Sequence, residues 1–429
     1  MSSPRQWLPF VSCAAHASQD SIASKDHMHK RHGESESWSA VSESSNAQRA
    51  AKKAKVVHLT SVHGPLNMRI FHKECKSLAE SGYQVVLIAP DHQDRVVEGV
   101  QIKAVRKPKS RIVRMTLGAW RVYRQAVRQQ AELYHFHDPE LLVVGLLLRT
   151  RGAKIIYDIH EDLPRTMAYK FYLPTWLRRL LVPVTEWLEN VGAARLSALV
   201  VATPPIAERF AAVNHRTVVV NNFPILKEFS ASPAIPWDQR DIPLTYIGGT
   251  LTRVRGIRNI VEALSLLPKS LSPRLCLAGR FINDGLYEDL LNTPGWNRVD
   301  DLGYITRDRV ADVLGRTRVG LVVIHPEPNY LRSRPTKLFE YMAAGVPVIA
   351  SNFPDWREII HTARCGLLVP PQDPRAIATA MEYLLTHPGE AREMGLRGRR
   401  AVEDSYLWDV EKKTLLELYD SLLTRKHLA

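Results

Sequence analysis

One segment of the chain, residues 334–351, combines residue types that could bind an anionic ligand. Pro335 suits the first turn of a helix, and Gly345 can end that helix before an apolar strand. The start of a helix presents free N–H groups and the positive end of the helix dipole, and both favour a bound diphosphate. Lys337 adds a full positive charge at the same place. Glu340, one turn further, could accept hydrogen bonds from a ribose diol. The alternative left open is an ordinary capped helix with a surface glutamate.

Histidines near residue 135 could ligate a metal by type. His135 and His137 share one face of a predicted strand, and Asp138 follows them. No matching fourth ligand is evident in the sequence, so we predict no metal site. The four cysteines lie far apart, match no metal spacing and suit a reducing compartment: Cys13, Cys75, Cys276 and Cys365.

Size and charge narrow the class of protein. The chain has 429 residues, 45% hydrophobic and 24% charged, which favours a folded chain of two domains. No stretch of about 18 apolar residues predicts a transmembrane helix. The net charge of +14 indicates an acidic partner, either nucleotide phosphates or anionic lipid and less readily nucleic acid, or simply a basic surface.

The elements that must position the candidate site form two successive series. Residues 1–52 are rich in serine without periodicity and are predicted to be a disordered tail. From residue 53, near-continuous apolar strands alternate with helices up to residue 224, which is typical of a parallel sheet covered on both faces. A proline-rich linker, 225–240, follows. The alternation then restarts over 241–404, and we expect a last helix, 405–425, to belong to the first domain.

Several blocks in this order resemble one known family. They are residues 57–63, 71–79, the His135–Glu140 block, the Tyr157–Pro164 block and the segment around Glu340. Together they are similar to retaining family-4 glycosyltransferases of the GT-B fold, an α/β architecture in which two Rossmann-like doubly wound domains face each other across a cleft. The resemblance covers most of residues 55–425. It implies that Glu340 contacts the ribose of a nucleotide sugar and that His160 contacts the donor sugar.

The sequence departs from the family pattern at two places. The family's first glutamate falls on Arg332, so Glu327 on the same loop is the substitute carboxylate. An arginine expected after the first strand of the second domain falls on Thr250, whereas Arg255 occupies the position of the family's lysine. Arg253 is the compensating candidate. Arginine keeps the charge and adds bidentate phosphate geometry.

The resemblance implies transfer of a sugar from a UDP- or GDP-sugar to a glycan or lipid-linked hydroxyl, with retention, in cell-surface polysaccharide biosynthesis. Without an Asp-x-Asp motif we expect a metal-independent reaction with no cofactor, in which positive side chains stabilise the leaving diphosphate. The candidate catalytic residues are His160, Arg255, Lys337 and Glu327. The candidate donor-binding residues are Gly64, Gly249, Arg253, Gly279, Tyr304, Pro335, Thr336 and Glu340. Gly64 and Gly279 are equally consistent with plain turn glycines.

Two other activities remain open: a sugar-nucleotide epimerase of the same fold, and an inactive homologue that lost its first glutamate. A nucleic-acid-binding module is not favoured, because neither aromatic stacking platforms nor a helix-turn-helix pattern is evident.

The acceptor side carries a basic segment. Residues 103–128 contain lysines and arginines but no acidic residue, interleaved with apolar residues such as Ile112, Met115 and Trp120. We predict a cytoplasmic protein that attaches peripherally to the anionic inner face of the plasma membrane, with aromatics in 171–188 as further anchors. A solvated basic face is an equally weighted alternative.

Overall fold

The structure is a computed structural model that describes residues 53–424 except 109, 169–173, 230–234, 272 and 283–284. The predicted tail, 1–52, lies outside the described residues, as do Phe171 and Tyr172 of the predicted membrane anchors. From Lys52 onward the chain forms one compact unit.

The first domain is built on an eight-stranded sheet in the order β3-β4-β2-β1-β5-β6-β7-β8. All neighbouring strands are parallel except β3 and β4, which form an antiparallel hairpin through Glu98 and Gly99, both at positive φ. The strands are β1 Lys53–Leu59, β2 Tyr83–Pro90, β3 Arg95–Val97, β4 Val100–Val105, β5 Leu133–Phe136, β6 Lys154–Ile159, β7 Ala198–Val201 and β8 Thr217–Val219.

Consecutive residues of β1 and β2 pack into different hydrophobic clusters. Val56 and Val85 belong to one cluster, whereas Val57 and Val86 belong to another. Because strand side chains alternate between faces, both faces of the sheet are buried, as in doubly wound folds. The helices of this domain are Lys76–Glu80, Arg111–Val113, Ala119–Gln129, Leu142–Arg149, Leu163–Ala168, Thr175–Ala193 and Pro204–Phe210, with π-helical Met68–Cys75 and Arg114–Gly118 and the 3-10 turn Pro139–Leu141.

The second domain contains a six-stranded, all-parallel sheet in the order β11-β10-β9-β12-β13-β14. Its strands are β9 Ile242–Leu251, β10 Leu275–Phe281, β11 Val299–Asp301, β12 Thr317–Val322, β13 Val348–Ser351 and β14 Gly366–Val369. Its helices are Ile257–Leu266, Leu286–Leu291, Arg307–Gly315, Pro328–Leu331, Thr336–Ala343, Pro354–Ala363, Pro374–Thr386 and Pro388–Ser405. Short 3-10 turns cover Leu226–Phe229, Trp237–Gln239, Arg253–Arg255, Lys269–Leu271 and Trp296–Arg298. The predicted fold class, two doubly wound α/β domains, is confirmed.

The last helix, Trp408–Leu423, leaves the second domain and packs on the first. Trp408, Leu415, Tyr419 and Leu422 lie in the same buried cluster as β1 and β2. The indole of Trp408 donates to the Ser77 hydroxyl at 3.0 Å. Each of these buried apolar side chains contributes about 1.5–3 kcal/mol. The first domain is therefore completed by the end of the chain.

Candidate functional site

A cavity of about 550 Å³ is lined by residues of both domains, at the carboxyl ends of their central strands. This size and position are typical of ligand sites in doubly wound folds. Six of the twelve predicted site residues line it: His160, Gly249, Arg255, Pro335, Thr336 and Lys337. The other six, Gly64, Arg253, Gly279, Tyr304, Glu327 and Glu340, are not among its lining residues.

On the second-domain wall, Lys337 is buried in the first turn of helix Thr336–Ala343. Its Nζ lies 3.7 Å from the centre of the Tyr246 ring and has no hydrogen-bond partner in the described part of the chain. Burial, reinforced by repulsion from Arg255, holds the pKa of Lys337 well below the usual range for lysine. The wall therefore carries a buried amino group that an anion would pair with.

Pro335 occupies the N-cap position with an extended backbone, so the helix begins at Thr336 and not at Pro335 as the sequence suggested. The reason is that the Pro335 carbonyl already accepts from the Leu338 N–H, at 3.1 Å, while its own ψ of 127° is not helical. Pro335, Thr336 and Lys337 all line the cavity, so the start of the helix lies at its wall.

Arg255 adjoins this helix start. It ends the 3-10 turn Arg253–Arg255, and its guanidinium lies over the ring of Tyr330 at 4.9 Å from the ring centre. The neighbouring Gly249 lines the cavity. A Cβ at Gly248 would lie 3.6 Å from Lys337 Nζ, so this glycine lies directly against the buried amino group.

Arg253 is not among the lining residues of the cavity. Its guanidinium forms an ion pair with Asp289 at 2.6 Å, and both side chains are about half exposed. Gly279 has a φ of +153°, and a Cβ there would lie 2.5 Å from the Gly248 carbonyl oxygen. Gly279 thus permits the close approach of β9 and β10.

Glu340, the predicted ribose contact, takes part in an ion-pair network. Its carboxylate pairs with Arg307 at 2.7 Å, and Arg307 binds Glu228 at the same distance. The predicted helix is present. Glu340 lies one turn beyond the start of this helix and is not among the lining residues of the cavity. The sequence could not show Arg307, which approaches from a helix 33 positions earlier.

Three further predicted residues are also not among the lining residues of the cavity. Glu327 is the N-cap of helix Pro328–Leu331, next to the lining residue Pro328. Tyr304 is 63% exposed, with the Arg280 guanidinium over its ring. Gly64 is exposed, with no heavy atom within 4 Å of a Cβ built on it. Arg332, which replaces the family glutamate, pairs with Glu208 of the first domain at 3.1 Å.

On the first-domain wall, His160 is held by a buried network around Asp158. His160 Nε2 lies 2.7 Å from Asp158 Oδ2, and His137 Nδ1 lies 3.0 Å from the same oxygen. Arg69 donates to both Asp158 oxygens, at 2.8 and 2.7 Å. Burial alone would raise the pKa of Asp158, but Arg69 and the histidines hold it well below its usual value. The carboxylate thus stays charged and orients His160.

Asp158 and Arg69 are site residues that the sequence patterns did not single out. The available signal was the position of Asp158, two residues before His160 on the same strand end. Arg69 lies on the π-helical segment Met68–Cys75, whose contact with β6 spans 89 residues and leaves no local pattern.

Two family descriptions match the chain. "Glycosyl transferase 4-like domain" matches residues 68–222, and "Glycosyl transferases group 1" matches residues 243–387. The first corresponds to the domain with His160 and the second to the domain with Lys337. Together they cover both walls of the cavity.

Similar proteins are also glycosyltransferases by name. A GDP-mannose-dependent alpha-mannosyltransferase of Mycolicibacterium smegmatis is 25% identical over 82% of this chain and 92% of its own length. An uncharacterized glycosyltransferase of Methanocaldococcus jannaschii is 26% identical over 42% of this chain. The matched region spans 45% of the length of that relative.

Solved structures share the fold at low sequence identity. Sucrose-phosphate synthase of Thermosynechococcus elongatus superimposes with a TM-score of 0.69 at 19% identity, covering 86% of this chain and 99% of that one. HepE of Anabaena, in complex with UDP and glucose, has a TM-score of 0.65 at 12% identity, covering 86% and 100%.

Proposed function

Because the chain belongs to the family-4-type GT-B glycosyltransferases, we propose that it moves a sugar from a UDP- or GDP-sugar to a hydroxyl of a glycan or lipid-linked acceptor. The proposal includes retention of configuration, metal independence at the diphosphate and a role in cell-surface polysaccharide synthesis. The observation that carries it is the unpartnered Lys337 amino group at a helix start on the cavity wall.

The donor diphosphate belongs on the second-domain wall. Lys337, the N–H groups at the start of helix Thr336–Ala343 and the Arg255 guanidinium converge there. When the bond between sugar C1 and the diphosphate oxygen breaks, negative charge grows on that oxygen. Fixed positive groups in a water-poor site stabilise such charge more in the transition state than in the ground state.

The sugar belongs next to His160. Asp158 accepts from the Nε2 side of the ring, which leaves His160 Nδ1 as an acceptor for a sugar hydroxyl. His160 Nδ1 has no hydrogen-bond partner among the described residues, and the His160 side chain is 23% exposed. His160 lines the same cavity as Lys337 and Arg255, which supports a donor that spans the cavity from the diphosphate groups to the sugar.

A screen of UDP, GDP and ADP by thermal shift tests the donor site. A nucleotide at 100 times its dissociation constant adds about 2.7 kcal/mol to the free energy of unfolding. The relative named as GDP-mannose-dependent favours GDP. If none of the three nucleotides raises the melting temperature, the donor site is wrong.

Turnover of nucleotide sugars separates the alternatives. Transfer to an acceptor supports the proposal, and release of an epimerised free nucleotide sugar identifies an epimerase. Binding without turnover identifies an inactive homologue. The explanation would then be Arg332, which stands at the position of the family's first glutamate and pairs with Glu208.

A peripheral membrane site would bring lipid-linked acceptors to the cavity. Helix Thr175–Ala193 exposes an apolar stripe with helical spacing: Trp176 at 69%, Leu180, Val184, Trp187 at 63% and Leu188. Ile112, Met115 and Trp120 of the basic segment are also more than half exposed. No helix in the described ranges is long and apolar enough to span a bilayer.

The basic segment contributes less free charge than its composition suggests. Lys103 pairs with Asp94 at 2.8 Å, and Arg114 with Glu140 at 2.5 Å. The apolar stripe therefore supplies a larger share of membrane affinity than the sequence predicts. Flotation with anionic vesicles checks this, and Trp176→Ser with Trp187→Ser should reduce binding more than Lys103→Ser does. Absence of binding at low salt contradicts the membrane proposal.

A further inference from the structure

Behind the wall that carries His160, four potential metal ligands converge in the core of the first domain. His58, Glu74, His135 and His137 each offer one ligand atom, and these atoms lie within 4.8 Å of one another. All four residues are at most 3% exposed. We propose that they form a closed site for a divalent transition cation, with Zn²⁺ the best match to this donor set.

The sheet register explains why three histidines meet. β1 and β5 are parallel neighbours, and His58 is paired with His135. His137 follows His135 by two residues and therefore shares its face of the sheet. The same face packs against the π-helical segment and the last helix. The sequence showed two of these histidines but not the strand pairing that adds His58.

Glu74 supplies the fourth ligand, which the sequence did not reveal. A π-helix connects residues five apart, so Met68–Cys75 brings Arg69 and Glu74 to the same side. Arg69 Nε lies 3.1 Å from Glu74 Oε1, whereas Glu74 Oε2 faces the three histidines. Neither Glu74 oxygen has a hydrogen bond in the described part of the chain. A fully buried carboxylate oxygen without a donor is costly, and a cation would satisfy it.

The distances fit a tetrahedral site after small adjustments. Bonds of about 2.0–2.1 Å to a tetrahedral Zn²⁺ separate neighbouring ligand atoms by roughly 3.3 Å. His58 Nδ1 and His137 Nε2 are 2.9 Å apart. Glu74 Oε2 lies 3.8 Å from His58 Nδ1, and 3.9 Å from both His137 Nε2 and His135 Nδ1. These separations lie on either side of the expected value.

Metal-ligating histidines donate their second ring N–H to a fixed acceptor, and two of the three histidines have such a contact, whereas His135 Nε2 has no partner among the described residues. His137 Nδ1 lies 3.0 Å from Asp158 Oδ2, and His58 Nε2 lies 3.0 Å from the Tyr419 hydroxyl. The Tyr419 hydroxyl also lies 2.8 Å from His135 Nδ1, the ring nitrogen that faces Glu74. When His135 Nδ1 binds the metal, this hydroxyl would keep only its hydrogen bond to His58.

The site would be structural and not catalytic. None of its four ligands lines the cavity, and full protein ligation leaves no position for substrate. It would join β1, β5 and the π-helical segment to the last helix through Tyr419. Through His137 and Asp158 it would also fix the orientation of His160.

Metal analysis of the full chain tests the proposal. Protein purified without chelator should contain a stoichiometric transition metal, and protein prepared with Co²⁺ should show the visible bands of tetrahedral cobalt. Chelation should lower the melting temperature by at least about 4 °C, and Zn²⁺ should restore it. Glu74→Gln keeps the shape of the side chain and should lose the metal. The matched control His92→Gln, at an exposed histidine, should retain it.

Two results would overturn the site. One is wild-type protein without bound metal whose melting temperature does not respond to Zn²⁺, Co²⁺, Ni²⁺ or Fe²⁺. The other is Glu74→Gln protein that binds the metal as tightly as wild type. If Glu74→Gln does not fold, the cobalt spectrum and metal content of the wild-type chain decide, because neither depends on a variant. Nucleotides are omitted throughout, so failure here leaves the donor site untouched.

Discussion

The two walls of the cavity hold their charged groups in opposite ways. On the first-domain wall, Asp158 is paired with Arg69, His137 and His160. On the second-domain wall, Lys337 is buried without a hydrogen-bond partner within the described residues. A satisfied network rigidifies its surroundings, whereas an unsatisfied buried charge costs stability until a ligand pairs with it. The first-domain wall therefore orients His160, whereas Lys337 on the second-domain wall contributes free energy to the binding of an anionic ligand.

The largest loss of stability should come from substitution of Asp158 on the first-domain wall. Asp158→Asn removes the carboxylate that accepts two hydrogen bonds from the buried Arg69 guanidinium. Among the described residues its only remaining ion pair is with Glu74, so the change should destabilise the protein by roughly 3–5 kcal/mol. Denaturant unfolding measures this. The control is Asp289→Asn, which breaks the half-exposed pair with Arg253 and should cost less than about 1 kcal/mol. Equal losses in the two variants would refute the distinction between the walls.

Substitution of Lys337 on the second-domain wall should lower activity without lowering stability. Lys337→Met removes a buried amino group that has no hydrogen-bond partner among the described residues, and the Met side chain can still pack on the Tyr246 ring, so the free protein should be at least as stable as wild type. The same change should lower kcat about 10²–10³-fold, the usual cost of one lost transition-state donor. Thermal melts with and without nucleotide, together with turnover rates, show both effects. A variant that loses stability but keeps its nucleotide response would contradict this assignment.

The proton balance of binding sharpens the comparison. In the free protein the pKa of Lys337 is lowered, so part of the population is neutral at pH values where lysine is ordinarily charged. A bound diphosphate favours the ammonium form and raises that pKa again, so binding should take up protons, and affinity should fall as pH rises. Calorimetry in buffers of different ionisation enthalpy measures the uptake. Lys337→Met should show less of it, and uptake equal to that of wild type would rule out Lys337 as the source.

The smallest effect distinguishes two nearby arginines. Arg255→Ala should weaken nucleoside diphosphate binding by about 10-fold or more, since it removes a charge-assisted contact. Arg253→Ala should change the dissociation constant by less than about twofold, because Arg253 faces Asp289. Titration of both variants with GDP or UDP provides the comparison. Similar losses in both would mean that the loop rearranges around the ligand.

The sequence predicted the strands that carry the cavity well because their apolar runs are long and buried. It missed the hairpin β3–β4, whose residues Arg95 and Val96 are exposed and carry no buried pattern. It also missed the helix Pro388–Ser405, which is rich in charge and glycine. β3 is the edge strand of its sheet and needs little burial, whereas Pro388–Ser405 packs through small residues such as Gly395 and Gly398, which give no apolar periodicity.

Within the site, the sequence located the helix start and His160 but not their partners. Local spacing predicts what lies on one face of a helix, as with Lys337 in the first turn. It cannot show that Arg307 reaches Glu340 or that Arg69 reaches Asp158, since these pairs depend on packing between distant elements. The same limit hid the meeting of His58 and Glu74 with His137.

The return of helix Trp408–Leu423 to the first domain means that the chain passes twice between the domains. The two passages are joined where the Trp408 N–H donates to the Pro224 carbonyl at 3.0 Å. Beside them, Glu411 of the last helix accepts from Asn221, whose side chain also accepts from Arg334 of the cavity rim. A protein cut after Ser405 would therefore keep its second domain whole and lose part of its first. A separate peptide of residues 406–424 should restore activity to that fragment, because it supplies the missing helix of a domain whose first strand begins at Lys53.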